Sequence, residues 1–226
     1  MLPPQLFECK LYHVLLFENR GFANFRKNVN QIAIILILEF GVANKDLRNW
    51  LEEIKANGEL HTITGAEPKE EIGGIVDVVQ RKMGNPALMF DEVPGFPKGF
   101  RVLSNLLTST SRVNLALGLP PESSEMDLIQ WWREYMHKAP TIKPKQVNGG
   151  PLLDNVSEGS KINVGEIPTP IWHEHDGGHF IGTACMVVMK DPDSDWINYG
   201  TYRMQVHEPG VASVMMSPGK HGRLIM

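Results

Sequence analysis

The stretch Asp195-Trp196-Ile197-Asn198-Tyr199-Gly200-Thr201-Tyr202-Arg203-Met204-Gln205 constrains the fold more than any other part of the chain. Its Tyr, Ile and Thr content suits a pleated surface, and Gly200 lets another backbone or a ligand come close. Side chains two apart on a strand share a face. That puts Asn198, Gly200, Tyr202 and Met204 on one side, with Arg203 and Gln205 on the other unless a bulge re-aims them. A carboxamide, a guanidinium and, further on, the imidazole of Ser217-Pro218-Gly219-Lys220-His221 make a poor hydrophobic core; they suit an anion or metal site.

Around this stretch, Pro168-Thr169-Pro170, Asp176-Gly177-Gly178 and Asp191-Pro192-Asp193 punctuate strand-like runs over residues 180–189, 196–206 and 211–216. Turn signals at such spacing predict a β-barrel or sandwich. The preceding part has a different texture. Asp46 is placed to cap a helix with Leu47, Trp50, Leu51 and Ile54 at helical spacing, ending at Asn57-Gly58. Strands are expected at residues 59–63, 87–90 and 100–103, and helices at 68–80 and 113–118. A further helix, capped by Ser123 or Ser124, carries the Trp131-Trp132 pair, read as helix core. Alternating helices and short strands predict a small α/β domain over residues 45–140. Residues 141–151, rich in Lys, Pro and Gly, form the candidate linker, and 152–226 the β-rich domain. Residues 1–44, with apolar runs at 11–17 and 32–40, are left unassigned.

Composition excludes some classes. A net charge of −4 provides no concentrated basic face for nucleic acid. The apolar run at 32–38 falls far short of the ~20 residues a membrane helix needs. Cys9 and Cys185 form no disulfide framework, so a reducing cytoplasm is expected.

Two histidine-bearing segments compete for a metal. His173 and His175 of Trp172-His173-Glu174-His175-Asp176 would share a strand face, but their spacing is not that of a helical zinc-protease motif. The plainer reading, a polar strand entry with an Asp-Gly-Gly turn, is preferred. Asn198 and His221 suit a hard ion such as Mn or Mg only if carboxylate oxygens join them, and on the residues alone Asn198 reads first as a turn-forming or strand-capping residue. Arg203, on an apolar strand, needs a fixed anionic partner, whether a ligand's phosphate or carboxylate or a structural Asp or Glu.

Read together, Asp46-Leu47-Arg48-Asn49-Trp50-Leu51, Asn85-Pro86-Ala87-Leu88-Met89-Phe90, Gly99-Phe100-Arg101-Val102-Leu103, Leu117-Gly118-Leu119-Pro120 and Asn-x-Gly-x-Tyr-Arg-x-Gln at residues 198–205 resemble, in this order, the UbiD family of decarboxylases. The resemblance implies an α+β chain: an N-terminal α/β domain followed by a split β-barrel of the flavin-reductase kind, here incomplete. It implies prenylated FMN held with Mn2+ or Mg2+, and possibly K+. Asn198 and His221 stand where the family's first two metal ligands stand. Tyr199, Gly200, Thr201, Tyr202 and Arg203, with Met216, Ser217, Lys220 and His221, would cradle the cofactor. Arg203 would also be the catalytic contact to the substrate carboxylate.

The implied reaction is reversible, non-oxidative loss of CO2 from an aromatic or α,β-unsaturated acid. The implied partners are that acid, a flavin prenyltransferase supplying the cofactor and, at full length, further copies of the chain. Because family members are far longer, a truncated or split product is expected, with the third metal ligand and the proton donor elsewhere. A non-catalytic flavin-binding subunit and a split-barrel FMN oxidoreductase remain as alternatives.

Overall fold

A computed structural model describes residues 46–138, 148–150, 153–183 and 185–226. The two early apolar runs, Cys9 and most of the expected linker lie outside them. The chain divides into two compact units, whose described parts are residues 46–138 and 148–226.

The first unit opens with α1 (Leu47–Ala56), and the Asp46 carboxylate accepts the N–H groups of Arg48 and Asn49 at 2.8 and 3.1 Å. These satisfy donors that the first helical turn leaves unpaired. Trp50 and Ile54, one turn apart, are buried. Strands β1 (Leu60–Thr64), β2 (Ala87–Asp91) and β3 (Val102–Ser104) form one sheet in that order. β1 and β2 run parallel across α2 (Glu71–Gln80), and β2 and β3 run antiparallel. As the central strand, β2 buries Ala87, Leu88, Met89 and Phe90 consecutively, which is why it reads as an uninterrupted apolar run.

Helix α3 (Thr110–Ala116) begins three residues ahead of the expected 113, at the cap formed by Ser109. It carries Arg112, whose side chain is 1% exposed and pairs with Glu59 at 2.9 Å. The same guanidinium donates to the carbonyls of Leu106 and Asn105, the Asn85 amide oxygen and the Thr108 hydroxyl. A buried charge is tolerated here because nearly every donor is matched.

Helix α4 (Glu125–Lys138) starts at a reciprocal Ser124–Asp127 cap. One expectation fails here. The helix buries none of its residues, and Trp132 is 46% exposed, so the Trp131-Trp132 pair is not helix core. Trp131 instead stacks on Tyr135 one turn along, centroids 4.8 Å apart. Periodicity marks an apolar face but does not supply something to cover it.

In the second unit, two short 3-10 turns (Gly159–Lys161 and Val164–Glu166) precede β4 (Phe180–Gly182), β5 (Val187–Lys190), β6 (Ile197–Gly200), β7 (Met204–Glu208) and β8 (Val211–Val214). A five-residue helix, α5 (His221–Ile225), follows. The single strand expected over residues 195–205 is two strands. β6 pairs antiparallel with β5, whereas β7 pairs with β4 and β8, so the chain changes sheets across residues 201–203. The run at 180–189 is likewise split between the two sheets. Among the described residues the strands therefore make a three-stranded sheet, β4-β7-β8, and a two-stranded one, β5-β6. No closed barrel forms among them, and the α+β class stands. Among the described residues no helix is long and apolar enough to cross a membrane.

Candidate functional site

Strand β6 buries Asn198 (6% exposed) and presents Tyr199 outward (61% exposed). Tyr202 and Met204 are buried as well, so the alternation read from the sequence survives the break between β6 and β7. The segment 201–203 is tied at several points. The Cys185 thiol donates to the Tyr202 carbonyl at 3.3 Å. The Met215 N–H donates to the Arg203 carbonyl at 3.0 Å, bringing the start of the tail alongside.

The Tyr202 ring turns back rather than outward. A Cβ built on Gly200 would lie 2.5 Å from its Cε2, and one on Gly222 would lie 2.6 Å from its hydroxyl oxygen. Both glycines are required by this contact, and the close approach foreseen at Gly200 is made by the chain's own tyrosine. The hydroxyl accepts the Asn198 side-chain N–H at 3.3 Å and the Gly222 backbone N–H at 2.9 Å. His221, next to Gly222 and first in α5, sets its ring edge-on to Trp196 at 5.2 Å. Two independent contacts thus hold the start of α5 beside β6.

Asn198 spends its amide nitrogen on Tyr202, and among the described residues no hydrogen bond engages its Oδ1 or the ring nitrogens of His221. One amide oxygen and one imidazole nitrogen are donors that a divalent ion such as Mn or Mg accepts. By donor chemistry they make two ligands at most. No group of three or more His, Cys, Asp or Glu that could hold a metal occurs among the described residues.

Arg203 corrects another expectation. It is exposed, not buried, so no desolvation penalty demands an anionic partner. Its guanidinium lies over the Phe180 ring, 5.3 Å from the centroid. This cation–π contact uses none of the guanidinium's N–H groups as hydrogen-bond donors to an acceptor atom. Thr201, Ser217 and Lys220 are exposed and Met216 is half-buried. The Ser217 carbonyl accepts the Lys220 N–H at 3.3 Å, closing the turn on Gly219 (φ 82°).

The competing histidines lie at a turn over Glu174-His175 rather than on a shared strand face. His173 and His175 are exposed beside a turn closed by the Asp176 N–H on the His173 carbonyl. His179 bonds the Thr169 carbonyl through Nδ1 at 2.6 Å. The sequence reading missed Phe180, Cys185, Trp196 and Gly222. Only Gly222 carried a signal, as a glycine directly after the candidate ligand.

Family models match both units. Residues 51–132 match the UbiD 3-octaprenyl-4-hydroxybenzoate carboxy-lyase N-terminal domain, and residues 145–226 match its Rift-related domain. The chain belongs to the UbiD family. It is 28% identical over 184 residues to a pyrrole-2-carboxylic acid decarboxylase of Pseudomonas aeruginosa, covering 78% of this chain and 37% of that one. It is 26% identical over 185 residues to ferulic acid decarboxylase 1 of Saccharomyces cerevisiae, covering 76% and 36%. The closed form of a vanillic acid decarboxylase from Sedimentibacter hydroxybenzoicus superposes with a TM-score of 0.70 at 29% identity, covering 77% and 37%. The UbiD-class enzyme HmfF from Pelotomaculum thermopropionicum, solved with prenylated FMN, shares the fold at a TM-score of 0.66 and 23% identity, covering 79% and 40%. The chain spans about 36 to 40% of the length of the curated relatives it matches.

Proposed function

We propose that this chain supplies the cofactor- and metal-holding part of a UbiD-type carboxy-lyase acting on an aromatic or α,β-unsaturated carboxylic acid. The observation that carries the reading is the junction at the Tyr202 hydroxyl, which links Asn198 to the start of the helix bearing His221. Asn198 Oδ1 and His221 are the residues that would hold a divalent ion such as Mn2+ or Mg2+. Tyr199, Thr201, Met216, Ser217 and Lys220 line the approach to the cofactor. Prenylated FMN, when bound, supplies the electron sink that loss of CO2 requires and that no ordinary side chain provides. Arg203 uses its N–H groups to hold the substrate carboxylate bidentately, while its contact with the Phe180 ring restrains the side chain.

Direct support comes from reconstitution of the chain with prenylated FMN and Mn2+, supplemented by the remaining portion of a longer relative. CO2 release from an aromatic acid, abolished by Arg203→Ala and reduced by Arg203→Lys, is the expected result. No flavin uptake and no CO2 release would sink the reading. A second reading is that the chain binds the cofactor without turnover and works beside a partner that carries the acid groups. Flavin uptake without CO2 release until that partner is added distinguishes it.

A further inference from the structure

The Tyr202 hydroxyl belongs to neither the ligand set nor the substrate contact, yet it is the atom on which the two halves of the site meet. A phenolic oxygen accepts two hydrogen bonds, and both acceptor positions are used here: one by Asn198 Nδ2 at 3.3 Å, the other by the Gly222 N–H at 2.9 Å. A side-chain carboxamide can rotate by half a turn and exchange its oxygen for its nitrogen. Only the oxygen can ligate a cation. With the Asn198 nitrogen turned to the phenol, Oδ1 is directed away from it and left available. The same acceptor fixes the backbone one residue beyond His221, so both donors are registered against a single rigid ring. That ring is wedged between Gly200 and Gly222, where no side chain would fit, and Tyr202 is only 9% exposed.

From this geometry we infer that Tyr202 is a positioning residue for the metal site. Its hydroxyl orients the Asn198 amide oxygen and holds His221 in register with it, without touching the ion. The inference rests on the metal reading above. Groups that orient metal ligands typically change metal affinity ~10- to 100-fold when removed. Tyr202→Phe keeps the ring wedge and deletes only the acceptor, so a loss of that order is expected without loss of the fold.

The test uses the full chain, isotope-labelled, with Mn2+ alone as the probe. In the native chain, Mn2+ broadens the Asn198 side-chain amide and His221 ring resonances, and the Gly222 amide exchanges slowly with solvent. In Tyr202→Phe, Gly222 protection falls and the Mn2+ dissociation constant rises about tenfold or more, while the melting temperature stays within a few degrees. In an Asn198→Asp background the penalty of Tyr202→Phe shrinks, because a carboxylate offers an oxygen whichever way it turns. A merely structural tyrosine would move stability and leave affinity per folded molecule unchanged, which overturns the inference. So does Gly222 protection unaltered by the substitution. A native chain whose Asn198 and His221 signals ignore Mn2+ overturns the metal reading itself, and the positioning role with it.

Discussion

The Gly222 backbone N–H donates to the Tyr202 hydroxyl at 2.9 Å, so the helix that begins with His221 hangs from the segment that follows the Asn198 strand. Residues far apart along the tail become neighbours through one phenol. The glycine is as necessary as the tyrosine, because a methyl group there would overlap the hydroxyl.

Gly200→Ala and Gly222→Ala should each therefore destabilise the second unit by about 1–3 kcal/mol, the usual cost of forcing volume into a filled space. Gly210→Ala, where a Cβ meets nothing within 4 Å, is the control and should change stability by less than ~0.5 kcal/mol. Urea denaturation of the three variants checks the contrast.

Arg112→Met should cost about 3–5 kcal/mol, since it leaves Glu59 and four further acceptors around a buried site without their donor. Glu59→Gln should cost clearly less. The Glu59 side chain is 25% exposed and is also held by the Ser109 and Ser111 hydroxyls, so water and those partners absorb part of the change. Equal losses in equilibrium denaturation would refute the ranking.

At the start of α1, Asp46→Ala removes the acceptor for two backbone N–H groups and should lower stability by about 1 kcal/mol. Asp46→Asn keeps an acceptor oxygen and should recover most of it. Thermal melts of the pair read the difference.

A pH effect follows at α4. The Ser124 hydroxyl, and then its backbone N–H, hold the Asp127 carboxyl below its ordinary value. A carboxyl with a depressed folded-state pKa contributes stability above its unfolded pKa and loses it as pH falls through the folded one. The stabilisation is thus complete at neutral pH and disappears on acidification below the ordinary carboxylate range. Ser124→Ala should raise the Asp127 midpoint in an NMR titration and remove this part of the acid dependence.

Much of the first unit was legible in the residue order. Asp46, Trp50 and Ile54 announce α1 because a cap and a 3.6-residue period are local properties. The strand at 87–90 announces itself because burial on both faces leaves no polar position. The Asn198, Tyr202 and Met204 alternation was legible because side chains two apart on extended chain share a face. The failures are of another kind. Trp131 and Trp132 have an apolar period but no covering surface, and burial depends on what other segments do. Arg203 was expected to need an anionic partner because its strand is apolar, yet its side chain lies exposed.

The residues by themselves determined much of the helix and strand pattern, the caps and the family motifs. Each is set by short-range sterics, hydrogen bonding or side-chain chemistry. Only the tertiary structure decided that the chain changes sheets after Gly200, that Arg203 lies open against Phe180, and that the Tyr202 ring folds inward between two glycines. Those outcomes depend on which strands pair and which surfaces meet, where contacts between distant segments compete and no short stretch of sequence holds the answer.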